Sequence, residues 1–226
     1  MPEKNALERG GNHTYKYISI SGQIERNMTK MKKKLILVTS PPACGKTYIS
    51  KKLAENLKHI VYLDKDTLIV LSKQIFKVAN QEYNRSSDFF EEHIRDFEYD
   101  AIVDLGLEAL QYDDLVLINA PFTREIRDPK YMNELKSKIA HMGAELCVIW
   151  VVTDPEVCHQ RMIERASDRD TWKLENWDEY ISNINFDTPE LLDDPNVVDL
   201  FLKFNNSSGE EFDESMERIT KILLEE

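Results

Sequence analysis

The sequence predicts a three-layer α/β fold: a five-stranded, mostly parallel sheet with helices on both faces. Three observations carry that prediction. Short, continuous apolar runs alternate with longer stretches of helical period, the pattern of strands buried on both faces and joined by helical crossovers. Two of the helical stretches open on Asp-Pro, at Pro129 and Pro155, a sequence signal for a helix start. Glycine is scarce, 7 in 226 residues, against about sixteen at ordinary usage. That scarcity excludes a hairpin barrel built on Asn-Gly turns and a Gly/Ser linker array.

The elements follow in order. Residues 1–30 show no sustained period and are expected to form a disordered tail. Residues 31–226 form the domain. Leu35–Val38 is the first strand, and Lys46–Leu57 the first helix. Ile60–Leu63 is the second strand; a long, mostly helical stretch with a helix near Asp88–Gln111 leads to the third, Leu115–Ile118. A helix over Pro129–Met142 precedes the fourth strand, Cys147–Val152. Pro155–Ala166 is helical, Val197–Phe204 a weaker last strand, and Glu211–Leu224 the closing helix.

Charge and cysteine usage narrow the function. Lys+Arg 29 against Asp+Glu 41 gives a net charge of −12, which repels a long phosphodiester track or an anionic membrane surface while leaving room for a local basic site. Cys44, Cys147 and Cys158 form no CxxC pair and match no zinc spacing, as suits a reducing compartment. No membrane span or leader is visible, so a cytoplasmic protein, monomer or homodimer, is expected.

The turn after the first strand reads Ser40-Pro41-Pro42-Ala43-Cys44-Gly45-Lys46-Thr47. Its second half matches the phosphate-binding pattern G-x-x-x-x-G-K-[ST], and Ser40 stands where the first glycine belongs. Gly45 lets the backbone curl so that N–H groups at a helix N-terminus converge on phosphate oxygens. Lys46 is placed to reach β- and γ-phosphates, and the Thr47 hydroxyl to ligate Mg²⁺. Pro42, Ala43, Cys44, Gly45, Lys46, Thr47 and Tyr48 are therefore the expected nucleotide contacts, with Ser40 and Ala43 left to adopt backbone angles that glycine would supply easily. A chance tripeptide at a helix start is the plainer reading; the strand before it and the amphipathic helix after it weigh against chance.

Here the chain resembles the P-loop NTPase superfamily, specifically its small-molecule and nucleotide kinases: shikimate and gluconate kinases, the zeta-toxin and chloramphenicol phosphotransferase group, and polynucleotide 5′-kinases, whose loops commonly read G-x-P-G-S-G-K-[ST]. An AAA-type ATP-binding domain is a label compatible with the same residues. The resemblance in layout runs from about Lys32 onward, and its specific motifs cover a few short stretches. It implies ATP and Mg²⁺ as cofactors, a helical acceptor-binding insert at 67–112, a lid at 161–177, and transfer of phosphate to a small-molecule or nucleotide hydroxyl.

On that basis the Leu63-Asp64-Lys65-Asp66 stretch at the end of the second strand supplies a carboxylate pair. Asp66 is assigned as base and Asp64 to the metal, an assignment the sequence leaves reversible; helix capping by Asp66 is the ordinary alternative. Asn119 occupies the place of a Walker-B aspartate, which argues against a motor-type ATPase. Arg161, Arg165 and Arg169 are candidate lid arginines, with a solvated face paired to Glu164, Asp168 and Asp170 as the alternative for each. Arg95, Tyr99 and Arg124, together with Arg85 and Glu98, are acceptor-side candidates. Asn205 and Ser207 are candidates beside the adenine. The tryptophans of the lid region read as packing residues. A nucleotide-binding module that switches or recruits partners without phosphorylating anything is the competing functional class.

Overall fold

The computed structural model describes residues 32–167 and 170–224. The tail expected at 1–30 and the candidate Arg169 lie outside the described residues. Five strands form one wholly parallel sheet: β1 (Lys33–Thr39), β2 (Val61–Asp64), β3 (Leu115–Asn119), β4 (Ala144–Val152) and β5 (Leu200–Asn205), in the order β2-β3-β1-β4-β5. Central β1 is hydrogen-bonded on both sides, and Leu35 to Val38 are fully buried, as a continuous apolar run requires. At the edges the pattern changes. β5 alternates, with Leu202 and Phe204 buried and Lys203 and Asn205 exposed, which is why its apolar signal is weak in sequence.

The register brings the carboxyl ends of the strands level. Asn119 pairs with Val38 on one side and Asp64 on the other, while Val152 pairs with Asn205. Ligands of open parallel sheets collect at that end.

Helix α1 (Lys46–Leu57) buries Ile49, Leu53 and Leu57, one face at a four-residue spacing. α2 (Ile69–Val78) buries only Ser72 and Phe76. The long helical stretch that follows is α3 (Asp88–Phe90), a π-helical turn over Glu91–Arg95, and α4 (Asp96–Ala109). α5 (Pro129–His141), α6 (Pro155–Arg165), α7 (Thr171–Glu175), α8 (Trp177–Asn183) and α9 (Gly209–Leu224) complete the order. Of the two Asp-Pro starts, only the first is capped as its sequence suggests: Asp128 accepts from the Lys130 N–H at 2.9 Å, whereas the Asp154 carboxylate makes no cap.

The segment 67–112 divides physically. Its second half, α4, is a layer of the fold itself, packing Tyr99, Ile102, Val103 and Gly106 toward the sheet. Its first half has a small core of its own, Phe76, Phe90 and Ile94, separate from the main cluster. At Gly106 a side chain would stand 2.8 Å from Ile118 Cδ1 and 3.2 Å from Leu35 Cδ1, so glycine sets how closely α4 approaches β1 and β3. Gly106→Leu is expected to destabilise the fold by about 1–3 kcal/mol through overpacking. Equilibrium urea unfolding checks this, and an unchanged midpoint would refute the packing argument.

Candidate nucleotide-binding site

The loop between β1 and α1 is held by its own carbonyl. Cys44 O accepts from Thr153 Oγ1 at 3.1 Å and from Asn206 Nδ2 at 2.7 Å, which ties the loop to the ends of β4 and β5. Gly45 has φ 87°, and a Cβ there would lie 2.6 Å from Asn206 Nδ2. Both the angle and the space demand glycine. Ala43 has φ 64°, also left-handed, whereas Ser40 is not among the positive-φ residues; of the two positions expected to replace glycine, only Ala43 bears strain. No side chain caps the N-terminus of α1, so its first N–H groups have no capping partner to displace. Beneath the loop, Cys44 Sγ lies 3.5 Å from Cys158 Sγ, both buried, and this contact together with burial pushes the Cys44 thiol up.

Ala43→Gly is expected to stabilise the protein by about 0.5–1 kcal/mol, because the roughly 1–2 kcal/mol of left-handed strain exceeds the added chain entropy of glycine. Denaturant unfolding measures it; a loss of stability would show that Ala43 is not strained.

Asn119 links the loop to the second strand. Its Oδ1 accepts from Lys46 Nζ at 2.9 Å, and its Nδ2 donates to Thr47 Oγ1 at 3.2 Å and Asp64 Oδ2 at 3.0 Å. Tyr62 OH also donates to Asp64 Oδ2, at 2.9 Å. Burial and that bond to Asp64 push the Tyr62 hydroxyl up, so it remains a donor. Asp64 additionally accepts from the Asp66 N–H at 3.0 Å. The capping role the sequence allowed for Asp66 thus falls on Asp64, and the Asp66 carboxylate stays more than half exposed.

Between these aspartates sits Lys65, 3% exposed. It donates to Glu98 Oε2 at 2.8 Å. Arg85 grips the same carboxylate with two bonds, 2.8 and 2.7 Å, and Ser72 Oγ completes the shell. Burial alone would raise the Glu98 carboxyl; the bonds from Arg85, Lys65 and Ser72 outweigh it and bring it down to about 2. Because the folded value lies below the ordinary 4.5, the stabilisation is full above that pH and is lost as pH falls from 4.5 toward 2. Glu98→Gln should therefore be less stable at neutral pH and show a flatter acid limb. Thermal melts across pH 2–7 check this; parallel wild-type and variant curves would contradict it.

On the opposite wall, Arg161 Nη2 donates to Asn206 O at 2.9 Å, while its Nη1 is buried with no hydrogen-bond partner. Arg165 is bound by Asp170, which is fully buried and also accepts from Lys173 at 3.2 Å. The ion-pair reading therefore holds for Arg165 in part: it has its carboxylate and still lines the cleft. Trp177 stacks on the His159 ring at 4.0 Å, a packing role as expected, but Trp172 is 53% exposed and does not fit that expectation.

These groups enclose a cleft of about 600 Å³, lined by Ser40 through Tyr48, Lys65, Asp66, Arg85, Pro121, Arg161, Arg165 and Lys173. Six of the lining residues are cationic and one, Asp66, is acidic, in a chain of net charge −12. Several expected contacts are not brought there. Arg95 pairs with Glu125 at 2.7 Å, and Tyr99 OH donates to Pro121 O at 2.9 Å; both serve the fold. Arg124 pairs with Glu91 at 2.6 Å. Asn205 is exposed and does not line the cleft; its neighbour Asn206 makes the loop contact instead. Ser207 Oγ accepts from the Asp154 N–H at 2.9 Å. Lys65, Thr153, Lys173 and Asn206 are not singled out by the sequence, whereas Asp170 is, as an ion-pair partner of a candidate lid arginine, and it pairs with Arg165. Lys65 alone had a signal, its place between two candidate aspartates.

The residues fit a nucleoside triphosphate. The orphaned Arg161 Nη1 beside Gly45, the uncapped helix end and the cationic wall are donors waiting on an anion. Among the described residues no group of three or more His, Cys, Asp or Glu side chains is arranged to hold a metal. No helix among the described residues is long and apolar enough to cross a membrane.

Fold and loop together define a P-loop domain with a kinase-like fold. Residues 35–186 match the model of the AAA domain family, and the chain belongs to that family. Among curated proteins there is no sequence match. Among solved structures, the chain is similar to a candidate kinase from Chloroflexus aurantiacus J-10-fl, at 19% identity and TM-score 0.57, over 86% of this chain and 96% of that one. It is also similar to a tunicamycin resistance protein from Deinococcus radiodurans, at 11% identity and TM-score 0.50, over 86% and 98%. At these identities the likeness speaks for the fold.

Proposed function

We propose that the protein is an Mg·ATP-dependent phosphotransferase that moves the γ-phosphate to a hydroxyl of a small molecule or nucleotide. The observation that carries this reading is the meeting, in one cleft, of an exposed carboxylate, Asp66, with the phosphate loop and a cationic wall. The acceptor oxygen attacks the γ-phosphorus, the bond to the β–γ bridging oxygen breaks, ADP leaves, and the hydroxyl proton passes to Asp66.

Lys46 and the loop N–H groups bind the phosphates. Thr47 and Asp64 would hold Mg²⁺, which would neutralise phosphate charge when bound. Arg161 and Arg165 oppose the charge that spreads over the transferring group. Residues 161–177 act as the lid in this reading, and the first half of 67–112 forms the acceptor side.

Lys46→Ala is expected to abolish ATP turnover. Asp66→Asn should retain Mg·ATP binding by calorimetry while transfer from γ-labelled ATP to an accepted hydroxyl falls about 10²–10⁴-fold. Normal transfer by Asp66→Asn would remove Asp66 as the base. Binding of Mg·ATP without transfer to any sugar, nucleoside, antibiotic or nucleic-acid 5′-end would favour a nucleotide-binding module instead.

A further inference from the structure

Two cysteines that the phosphotransfer does not use meet directly beneath the phosphate loop. Cys44 is the loop residue before Gly45, Cys158 lies on α6, and 114 positions of chain separate them. The fold nevertheless sets their sulfurs 3.5 Å apart. Both are free thiols and buried, but Cys44 belongs to the wall of the cleft, so a small solute entering there comes within one side chain of the pair. The third cysteine, Cys147, is buried in the internal strand β4.

The surroundings favour chemistry at sulfur. The Cys44 thiol donates to Cys158, and that bond, followed by the Arg161 guanidinium, outweighs burial and holds the Cys158 thiol below its ordinary range. The Tyr180 hydroxyl is buried with no hydrogen-bond partner; burial first, then the two sulfurs, push it up, so it stays a donor beside them. A thiolate, a thiol to resolve it and a spare donor are the parts needed to pass through a sulfenic acid to a disulfide. The plainer role for the same pair is to fill the core as small apolar side chains; it predicts thiols that stay inert.

We propose that Cys44 and Cys158 form a reversible oxidation site: hydrogen peroxide converts them to a disulfide, which pulls the phosphate loop out of its nucleotide-binding shape. This inference rests on the loop's binding nucleotide, as in the reading above. The Cys158 thiolate attacks one peroxide oxygen, the O–O bond breaks, and hydroxide leaves with the proton Cys158 has released, as water. The Cys44 sulfur then attacks the sulfenic sulfur. The S–O bond breaks, the S–S bond forms, and the hydroxyl departs with the Cys44 proton as a second water. The two sulfurs lose two electrons and the peroxide gains them. To bond, the sulfurs must close from 3.5 Å to about 2.05 Å. Cys158 is held in its helix, its N–H bonded to Asp154 O at 3.0 Å, so the loop is the side that yields. Cys44 O anchors the loop to Thr153 and Asn206, and Gly45 follows at once; movement at Cys44 therefore shifts the N–H groups at the start of α1.

The test treats the reduced full chain with hydrogen peroxide at a dose that oxidises the urea-unfolded chain. Cysteine peptides are then read by mass spectrometry and Mg·AMPPNP affinity by calorimetry. The expected product is a Cys44–Cys158 disulfide within one chain, with Cys147 still a thiol. Affinity should fall about tenfold or more, and dithiothreitol should restore both readings. Cys158→Ser should bind Mg·AMPPNP like the reduced wild type and keep that affinity through peroxide. If this variant lacks a cooperative melt, the wild-type peptide and affinity readings decide alone. Three surviving thiols, a sulfinic acid without a cross-link, or a bond to Cys147 or to a second chain would overturn this inference alone. So would a disulfide that leaves affinity unchanged or resists dithiothreitol, or peroxide weakening the folded Cys158→Ser protein equally. Failure of the reduced chain to bind Mg·AMPPNP would overturn the parent reading and the switch with it.

Discussion

The site depends on one carbonyl. Cys44 O accepts hydrogen bonds from Thr153, at the end of β4, and from Asn206, just past β5. Those two bonds fix the loop after β1 to the other half of the sheet and impose the close approach that only a glycine tolerates at position 45. Arg161 joins the same knot through the Asn206 carbonyl, which leaves its second terminal nitrogen beside the loop without a partner. The anchoring and the electrostatics are therefore one structure, not two.

The second organising element is Asn119. A carboxylate at that position would face Asp64 across a hydrogen-bond distance; the amide instead donates to Asp64 and Thr47 and accepts from Lys46. Like-charge repulsion is avoided, and the metal-binding candidates are held in register by a neutral side chain. The chain as a whole is strongly acidic, yet its cleft wall is strongly cationic. Surface charge and site charge are of opposite sign, which disfavours extended polyanions and admits small ones.

Much of this was legible in the sequence, for identifiable reasons. Buried parallel strands leave apolar runs, so β1, β3 and β4 were found with only their ends short; α1 was found over its full range, Lys46–Leu57. The phosphate loop was legible because it is contiguous: Gly45, Lys46 and Thr47 need only one turn to act together. Of the candidate lid arginines, Arg161 and Arg165 line the cleft. What sequence did not reveal are contacts made across the fold. Asn205 is the candidate the sequence offers while Asn206 makes the contact, because nothing local tells which of two adjacent asparagines points at a loop more than 150 positions away. Arg95 and Tyr99 stand in the helical stretch after the second strand, where acceptor contacts are expected, but the π-helical turn spends Arg95 on Glu125 and α4, packed against the sheet, spends Tyr99 on the Pro121 carbonyl. Lys65 was passed over in favour of the aspartates flanking it, since a buried lysine is recognisable only once its carboxylate is seen.

The most direct test of the account is the affinity of Mg·ATP for wild type and Gly45→Ala, measured by calorimetry on variants of matched cooperative melting. If the loop anchored through Cys44 forms the phosphate site, a Cβ forced against Asn206 Nδ2 at 2.6 Å must displace the loop, and affinity should fall about tenfold or more. Equal affinity in a folded Gly45→Ala protein would show that the nucleotide does not depend on this turn and would contradict the account.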